Sequence, residues 1–291
     1  MTDGFLCIDK PAGPTSFAIV KKIRHALSIP RIGHSGTLDP LATGLMIIAL
    51  GKATRLLPYL PAEPKRYDFG LTFGSATETL DSAGKVTADG GRVPSSDEIS
   101  AVLPKFLGKQ AQVPPRFSAV KIGGERAYAL ARRNEEFEPA PKQIEIHALT
   151  LTEYDESRAE ARLTVTCSSG TYVRSLARDI AAALGTLGFA SLVRRTAVGL
   201  FTVKDAVGID TPPDDLSKRI ISINEAFKNF PSIVLSPQQR QNTLHGREVS
   251  LNASGRDSMP LFGYDTAGAL VAVFTRRAGG IFHPERVFSE R

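Results

Sequence analysis

The sequence predicts a fold of the α+β class, because helical and strand patterns follow one another without a regular βαβ alternation. Residues 67–73 alternate aromatic or aliphatic side chains with polar or small ones, a period-2 pattern that predicts a strand. A helix is predicted before this strand, because apolar residues recur at helical spacing between Ser16 and Leu27. Pro30 ends the helical segment.

The other elements are predicted from local signals. Asp39-Pro40 combines a good N-cap residue with proline at the first helical position, so a helix over about 40–50 is expected. Ser95-Ser-Asp-Glu98 resembles a capping box that opens a helix ending near Phe106. Further strands are expected at 143–153, 161–167 and 269–274, and further helices at 125–133 and after Thr171.

The length of the chain and a proline-containing stretch after residue 210 predict two domains of unequal size. The chain has 291 residues, and a Thr-Pro-Pro-Asp-Asp segment at 211–215 is followed by a short helical stretch and Pro231. Such a stretch is typical of a domain boundary. We therefore expect a large domain over 1–230 and a small, mostly β module over 231–291.

Composition excludes several classes of protein. With 42% hydrophobic and 23% charged residues, the chain does not match a disordered protein, a collagen or a coiled coil. It lacks a long apolar stretch, and its N-terminus has no apolar signal region, so a cytoplasmic protein without membrane contact is expected. Two cysteines and five scattered histidines offer neither a disulfide framework nor a metal-ligand pattern.

The positive charge of the chain is clustered. Residues 16–66 hold eight Lys/Arg against two acids, and residues 101–133 hold seven against one, on a chain with a net charge of +6. Two basic blocks favour a polyanionic partner, most simply nucleic acid, with ordinary solvated surface as the alternative.

The most informative stretch is Gly33-His-Ser-Gly-Thr-Leu-Asp-Pro-Leu-Ala-Thr-Gly44, a glycine-rich loop that carries a carboxylate. Glycines permit close approach of the backbone to a ligand. Asp39 is a candidate catalytic residue, and the alternative is a helix cap. His34 is either a ligand contact or a partly buried imidazole.

This stretch, preceded by Asp9-Lys-Pro-Ala-Gly-Pro-Thr-Ser16, strongly resembles the TruB family of pseudouridine synthases. Over residues 4–205 other pieces match in order: Lys65-Arg-Tyr67, Pro114-Pro-Arg-Phe-Ser-Ala119, Ser169-Gly-Thr-Tyr-Val-Arg174 and Val193-Arg-Arg-Thr-Ala197. The resemblance implies a catalytic domain with a central mixed or antiparallel sheet and an RNA-binding insertion over about 105–140. It also implies a PUA-like RNA-binding module at the C-terminus.

The resemblance implies conversion of uridine 55, in the TΨC arm of tRNA, to pseudouridine by base flipping, with Asp39 as the catalytic aspartate. A carboxylate could attack C1′ of the ribose or remove the C2′ proton, and both routes stay open. Arg174 matches the arginine that pairs with the aspartate, and Tyr67 the tyrosine that stacks on the base. Tyr172 and Val193 match pocket positions, although family members often have Leu at the latter.

The resemblance also implies residues that contact the RNA. His34 matches a histidine that stacks where the base has left, so we interpret it as a wedge and not as a general base. Expected contacts elsewhere are Lys10, Lys65 and Arg66, together with Lys121, Arg126, Arg132 and Arg133 in the insertion. Without the motifs, Arg174 would be interpreted as a surface arginine and Tyr67 as core packing.

No cofactor, metal or obligate protein partner is implied, and a monomer that binds the T-arm stem-loop is expected. Two alternatives remain: a pseudouridine synthase acting on another RNA or inside a guide-RNA particle, and a non-catalytic RNA-binding or RNA-folding protein. A glycoside hydrolase usually needs two carboxylates, and no second acid stands out near the loop.

Overall fold

A computed structural model describes residues 3–252 and 259–288 of the chain, and it has the mixed α+β content that the sequence predicts. In this part of the chain the helices are α1 (Ser16–Leu27), α2 (Ser96–Val102), α3 (Ala127–Arg132), α4 (Val173–Ala183), α5 (Pro213–Lys218), α6 (Ile223–Ala226) and α7 (Pro237–Leu244). Short 3₁₀ turns lie at 51–59, 103–106, 156–158, 203–205 and 278–280.

A large sheet contains ten of the described strands. Its bounds are β1 (Gly4–Lys10), β2 (Ile32–His34), β3 (Thr43–Leu50), β4 (Lys65–Phe73), β7 (Gly108–Gln112), β10 (Lys142–Asp155), β11 (Glu160–Cys167), β12 (Gly188–Val198), β13 (Phe201–Thr202) and β14 (Val207–Gly208). The strand order is β14-β1-β3-β12-β4-β11-β10-β7, with β2 paired to β3 and β13 to β12. Most pairs are antiparallel, and β1–β14 and β3–β12 are parallel, so the sheet is mixed.

Two small hairpins and a separate sheet complete the described structure. The hairpins are β5 (Ala76–Thr77) with β6 (Val86–Ala88), and β8 (Lys121–Ile122) with β9 (Glu125–Arg126). The separate sheet holds β15 (Ser232–Val234), β16 (Val249–Ser250), β17 (Leu261–Tyr264), β18 (Leu270–Arg276) and β19 (Ile281–Val287). Within the described residues no helix is long and apolar enough to cross a membrane.

The strand β3 replaces the helix that was predicted over 40–50, and that prediction was wrong. Leu45–Leu50 is a short, continuous apolar run, and each of its residues is almost fully buried. Such a run is typical of a strand covered on both faces, and β3 is paired with β1 over residues 44–50. Asp39 therefore caps no helix: its carbonyl closes a turn by accepting the Ala42 N–H at 3.1 Å.

Two helices cover one side of the sheet and begin at the same place. In α1, Ile19 and Ile23 pack on Leu6 and Ile8 of β1. In α4, Leu176 and Ile180 belong to the cluster that contains the inward side chains of β4. The Thr15 hydroxyl caps α1 by accepting the Ala18 N–H, as a threonine at this position should. Both helices start beside the Leu38–Asp39 segment.

The C-terminal sheet packs against the opposite face of β1 and β3. Phe5 and Cys7 on that face share a core cluster with Phe227, Phe262 and Val273. The rings of Phe227 and Phe262 stack with centroids 4.5 Å apart, and Phe5 meets Phe227 edge-on at 5.9 Å. The small β module is thus joined to the large sheet through an aromatic core.

Replacing Phe227 by alanine should lower the free energy of unfolding by about 3–5 kcal/mol, because it empties a ring-sized volume in this shared core. The measurement is urea denaturation followed by circular dichroism. Leu200→Ala is the control, since that side chain is 63% exposed and its loss should change stability by less than about 0.5 kcal/mol. Equal denaturation midpoints for the two variants would contradict the role of Phe227.

Candidate active site

A pocket of about 200 Å³ lies where α4, β4, β12 and the glycine-rich loop meet. It brings together six of the residues predicted from sequence: Asp39, Lys65, Tyr67, Tyr172, Arg174 and Val193. Ser118 and Ala119, from the segment between β7 and β10, also line it. Residues from four distant parts of the chain therefore converge on one carboxylate.

Asp39 pairs with Arg174, and the two side chains differ in exposure. Oδ2 of Asp39 lies 2.8 Å from Nη2 of Arg174, and the Asp39 side chain is 44% exposed while that of Arg174 is 5% exposed. The guanidinium also donates to the carbonyls of Thr79 at 2.6 Å and Phe117 at 2.9 Å. Arg174 is thus held from several sides and fixes the orientation of a carboxylate that still faces the pocket.

Asp81 supports Arg174 from the opposite side. Its Oδ2 lies 3.4 Å from Nη1 of Arg174, and its side chain is almost fully buried. Oδ1 of Asp81 accepts the Thr79 hydroxyl at 2.5 Å and the Ala83 N–H at 3.1 Å, so the carboxylate is itself anchored. The arginine lies between a buried carboxylate and a half-exposed one.

Lys10, one of the predicted RNA contacts, holds the turn that carries Asp39. The residue is fully buried, and its Nζ donates to the carbonyls of Pro11 at 2.9 Å, Pro40 at 3.1 Å and Ala42 at 2.7 Å. An ammonium group has three protons, and all three are used inside the protein. Burial lowers the pKa of Lys10 to about 8, Asp39 opposes the shift, and Arg195 adds to it.

Arg195 supports the glycine-rich loop from the neighbouring strand β12. Its guanidinium is 2% exposed and donates to the carbonyls of Leu45 at 2.8 Å and Gly36 at 3.2 Å. The backbone of Arg195 passes so close to Gly44 that a Cβ there would lie 2.2 Å from the Arg195 carbonyl oxygen. With its φ of 97°, Gly44 meets a requirement that only glycine satisfies readily.

Tyr67 and Val193 form apolar walls of the pocket. They are 7% and 8% exposed and stand on the neighbouring strands β4 and β12. Burial raises the pKa of the Tyr67 hydroxyl, and Arg195 beside it acts in the opposite direction. Tyr172 precedes α4, and its backbone is fixed by two hydrogen bonds with the Gln112 side chain, at 2.8 and 3.1 Å. The neutral rings offer flat surfaces to a bound ligand.

His34 is the last residue of β2 and is not among the residues that line the pocket. Its Nδ1 accepts the Gly36 N–H at 3.2 Å. Burial lowers the pKa of His34 below its ordinary value, and the charge of Arg195 acts in the same direction. The imidazole is therefore neutral at pH 7, which suits stacking better than phosphate binding.

Other predicted RNA contacts are scattered. Lys65 lines the pocket, and burial lowers its pKa, as does nearby Arg195. Arg66 follows it on β4 and is exposed on the strand face opposite to Tyr67, so the structure does not bring it to the pocket. In the insertion, Lys121 is exposed, and Arg126 donates to the Ala119 carbonyl at 2.5 Å.

The last two predicted contacts are already engaged within the protein. Arg133 forms ion pairs with Glu125 at 2.8 Å and Glu135 at 2.5 Å. The guanidinium of Arg132 lies 5.6 Å from the centre of the Tyr128 ring. Both are exposed, and an RNA phosphate at Arg133 would compete with two carboxylates.

Two residues that support the site, Asp81 and Arg195, have no role predicted from the sequence. Asp81 lies in a polar, turn-rich stretch, where a buried carboxylate has no local signature. Arg195 lies within the motif Val193-Arg-Arg-Thr-Ala197, whose resemblance to the family implies a role only for Val193. The signal for Arg195 was a charged residue on a strand at a position whose alternation points inward.

Comparison with known proteins agrees with the family resemblance of the sequence motifs. A family model described as "TruB family pseudouridylate synthase (N terminal domain)" matches residues 24–173. A tRNA pseudouridine synthase B of Dinoroseobacter shibae is 40% identical over 290 residues, covering 98% of this chain and 95% of the relative. One of Caulobacter sp. strain K31 is 37% identical over 298 residues, covering 98% and 96%.

A solved structure shares the fold. The match is to a chain of a Cbf5–Nop10–Gar1 complex, with a TM-score of 0.74 and 25% identity, covering 98% of this chain and 85% of that one. Fold and pocket together define an enzyme of the pseudouridine synthase class. The family model and the full-length relatives are more specific: the chain belongs to the TruB family.

Replacing Asp81 by asparagine should lower kcat about 10- to 100-fold with little change in KM, because a loosened Arg174 no longer positions Asp39 accurately. Steady-state kinetics of pseudouridine formation measure both constants, and circular dichroism checks folding. Asp89→Asn is the matched control, an exposed carboxylate bonded to Ser75. An unchanged kcat in a folded Asp81→Asn protein would contradict the positioning role.

The lowered pKa of Lys10 predicts a decline in activity on the alkaline side. Below about pH 8 the ammonium serves all three carbonyls, and above it the neutral amine has lost one donor. The single-turnover rate should therefore fall to about half near pH 8. Thermal unfolding checks that the Lys10→Arg variant is folded. Its rate should not change with pH over this range, because the guanidinium stays charged. A wild-type rate that is constant from pH 7 to 8.5 would contradict this.

Proposed function

We propose that this protein isomerises uridine 55 in the T arm of tRNA to pseudouridine, with Asp39 as the reacting carboxylate. The observation that carries the proposal is the half-exposed Asp39, with one oxygen held 2.8 Å from the buried Arg174 and the rest of the carboxylate facing the pocket. The curated relatives named tRNA pseudouridine synthase B support tRNA as the substrate.

The reaction breaks the bond between N1 of uracil and C1′ of ribose, turns the base and joins C5 to C1′. Asp39 serves either route, as nucleophile at C1′ or as base at C2′, because both need a fixed carboxylate beside the sugar. Arg174 sets its direction, and Asp81 faces the arginine instead of the pocket. One reacting carboxylate suffices, so the glycoside hydrolase alternative finds no second exposed acid among the pocket residues.

A uridine inside a stem-loop must leave its stack to reach this carboxylate, at a cost of a few kcal/mol. Tyr67 offers the base an aromatic surface, and Val193 and Tyr172 complete the walls. His34, neutral and outside the pocket, would fill the gap that the base leaves. Recognition would rest mainly on the shape of the folded RNA arm.

The insertion between β7 and β10 closes the pocket in this proposal. Phe117 accepts a hydrogen bond from Arg174 through its carbonyl, and Val113 accepts one from the Ser175 hydroxyl at 2.8 Å. Its exposed cations, Lys121 and Arg126 among them, would then meet phosphates of the arm. RNA binding would thus act on the same arginine that orients Asp39.

The remaining expectations belong to this proposal. The C-terminal residues 231–291 would be a PUA-like RNA-binding module, separated from a catalytic domain over 1–230. The chain would act as a monomer in the cytoplasm, without an obligate protein partner. Its relatives named tRNA pseudouridine synthase B match over nearly their whole length, which favours a stand-alone enzyme over a guide-RNA particle.

Asp39→Asn should abolish pseudouridine formation, because an amide neither attacks C1′ nor removes a proton. Tritium release from C5-labelled uridine in tRNA transcripts measures the reaction, and primer extension maps the product. His34→Ala should lose about tenfold through weaker binding or flipping. Asp68→Asn is the matched control, since Asp68 lies on the exposed face of β4 and bonds Thr164 at 3.0 Å.

Wild-type protein that releases no tritium at high concentration would overturn the proposal and favour a non-catalytic RNA-binding protein. Product mapped to a nucleotide other than 55 would overturn the assigned position. A His34→Ala protein as inactive as Asp39→Asn would show that the imidazole has a chemical role.

A further inference from the structure

The exposed side of α1 carries an aromatic residue in line with two cations. Phe17 is 70% exposed, an unusual position for a phenylalanine, and Lys21 and Arg24 follow at helical spacing on the same side. Single apolar residues on a surface need no explanation. An aromatic ring aligned with cations has the composition of a surface that binds single-stranded nucleic acid.

The topology places this row on the side of α1 that faces the active site. Lys22, on the other flank of the helix, pairs with Asp210, which follows the outermost strand β14. Phe17 lies about 140° around the helix from Lys22. It is therefore on the opposite flank of α1, here called the inner flank, which points toward β2 and the loop that carries Asp39. There the Ser16 hydroxyl donates to the Leu38 carbonyl and accepts its N–H, both at 2.9 Å.

The row therefore begins beside the catalytic loop and leads away from it. A rise of 1.5 Å per residue puts Arg24 about 10 Å beyond Phe17. Arg31, exposed at the start of β2, extends the positive surface. Successive phosphates of an RNA strand would meet these cations as the strand leaves the pocket.

The cations of the row are not neutralised within the described residues. Lys21, Arg24 and Arg31 form no ion pair there, and α1 has no acidic residue in its sequence. By contrast, the lysines on the outer side are paired, Lys22 with Asp210 and Lys218 of α5 with Asp215 at 2.9 Å. The asymmetry concentrates positive potential on the inner flank.

We propose that Phe17, Lys21 and Arg24, continued by Arg31, form a second RNA-contact surface of the protein. Lys21, Arg24 and Arg31 bind phosphates of the substrate tRNA next to the flipped nucleotide, and Phe17 stacks on an unpaired base. The choice of tRNA as occupant rests on the proposed function, and the positive charge and the continuity with the Asp39 loop support a nucleic acid.

The test is binding of a fluorescently labelled tRNA transcript to the full-length protein between 50 and 200 mM KCl. Removing two phosphate contacts in Lys21→Ala/Arg24→Ala should reduce the slope of log K against log salt by about 1.4–1.8. The matched control is Lys22→Ala/Lys218→Ala, which removes two charges from the outer flank and should leave the slope unchanged. Thermal unfolding verifies that both proteins are folded.

Phe17 is tested separately. Phe17→Ala should weaken tRNA binding about fivefold without altering the salt slope, and Phe17→Tyr should restore it because the ring is retained. Equal affinities for wild type and Phe17→Ala, or equal slopes for the inner-flank and outer-flank double variants, would overturn the inference.

Failure of the proposed function is read from a different measurement. If wild-type protein binds the transcript and forms no pseudouridine, the function fails while the dissociation constants still test the surface. If pseudouridine forms and the inner-flank variants bind like wild type, the surface alone fails.

Discussion

The structure depends on one buried guanidinium between two carboxylates. Arg174 is nearly inaccessible, and an arginine in that position must be paired and fully hydrogen-bonded to be tolerated. Asp81 and the carbonyls of Thr79 and Phe117 meet most of that demand from inside the protein. Asp39 can therefore remain half exposed, with its direction fixed and its free edge available to a ligand.

Local signals in the sequence predicted much of the fold and less of the site. The capping box at Ser95 and the alternation at 67–73 became a helix and a strand, since each depends on neighbouring residues alone. The Asp39-Pro40 pair misled because its turn leads into a strand whose pairing partners lie far away in sequence. For the same reason no local signal shows that Lys10, a predicted RNA contact, is buried: only the folded chain places three carbonyls around it.

The cations around the pocket have different roles, and these roles depend on whether the side chain is buried or lines the pocket. Lys10 and Arg195 are buried and donate to backbone carbonyls of the glycine-rich loop, so they help to fix its shape. Lys65 lines the pocket and faces it. A count of positive charges along the sequence includes all three equally. Burial decides which charges hold the protein together and which are available to RNA.

The packing of the C-terminal sheet determines from which side RNA reaches Asp39. Phe227 and Phe262 cover the face of β1 that carries Phe5, so this face is closed by protein. The helices α1 and α4 cover the other side and begin on either side of the Leu38–Asp39 segment, through Ser16 and Tyr172. An RNA strand approaching between the two helix starts meets the carboxylate first and the flank of α1 next. The shared aromatic core therefore contributes to function because it holds the C-terminal sheet on the opposite face and leaves the gap between the two helix starts open to RNA.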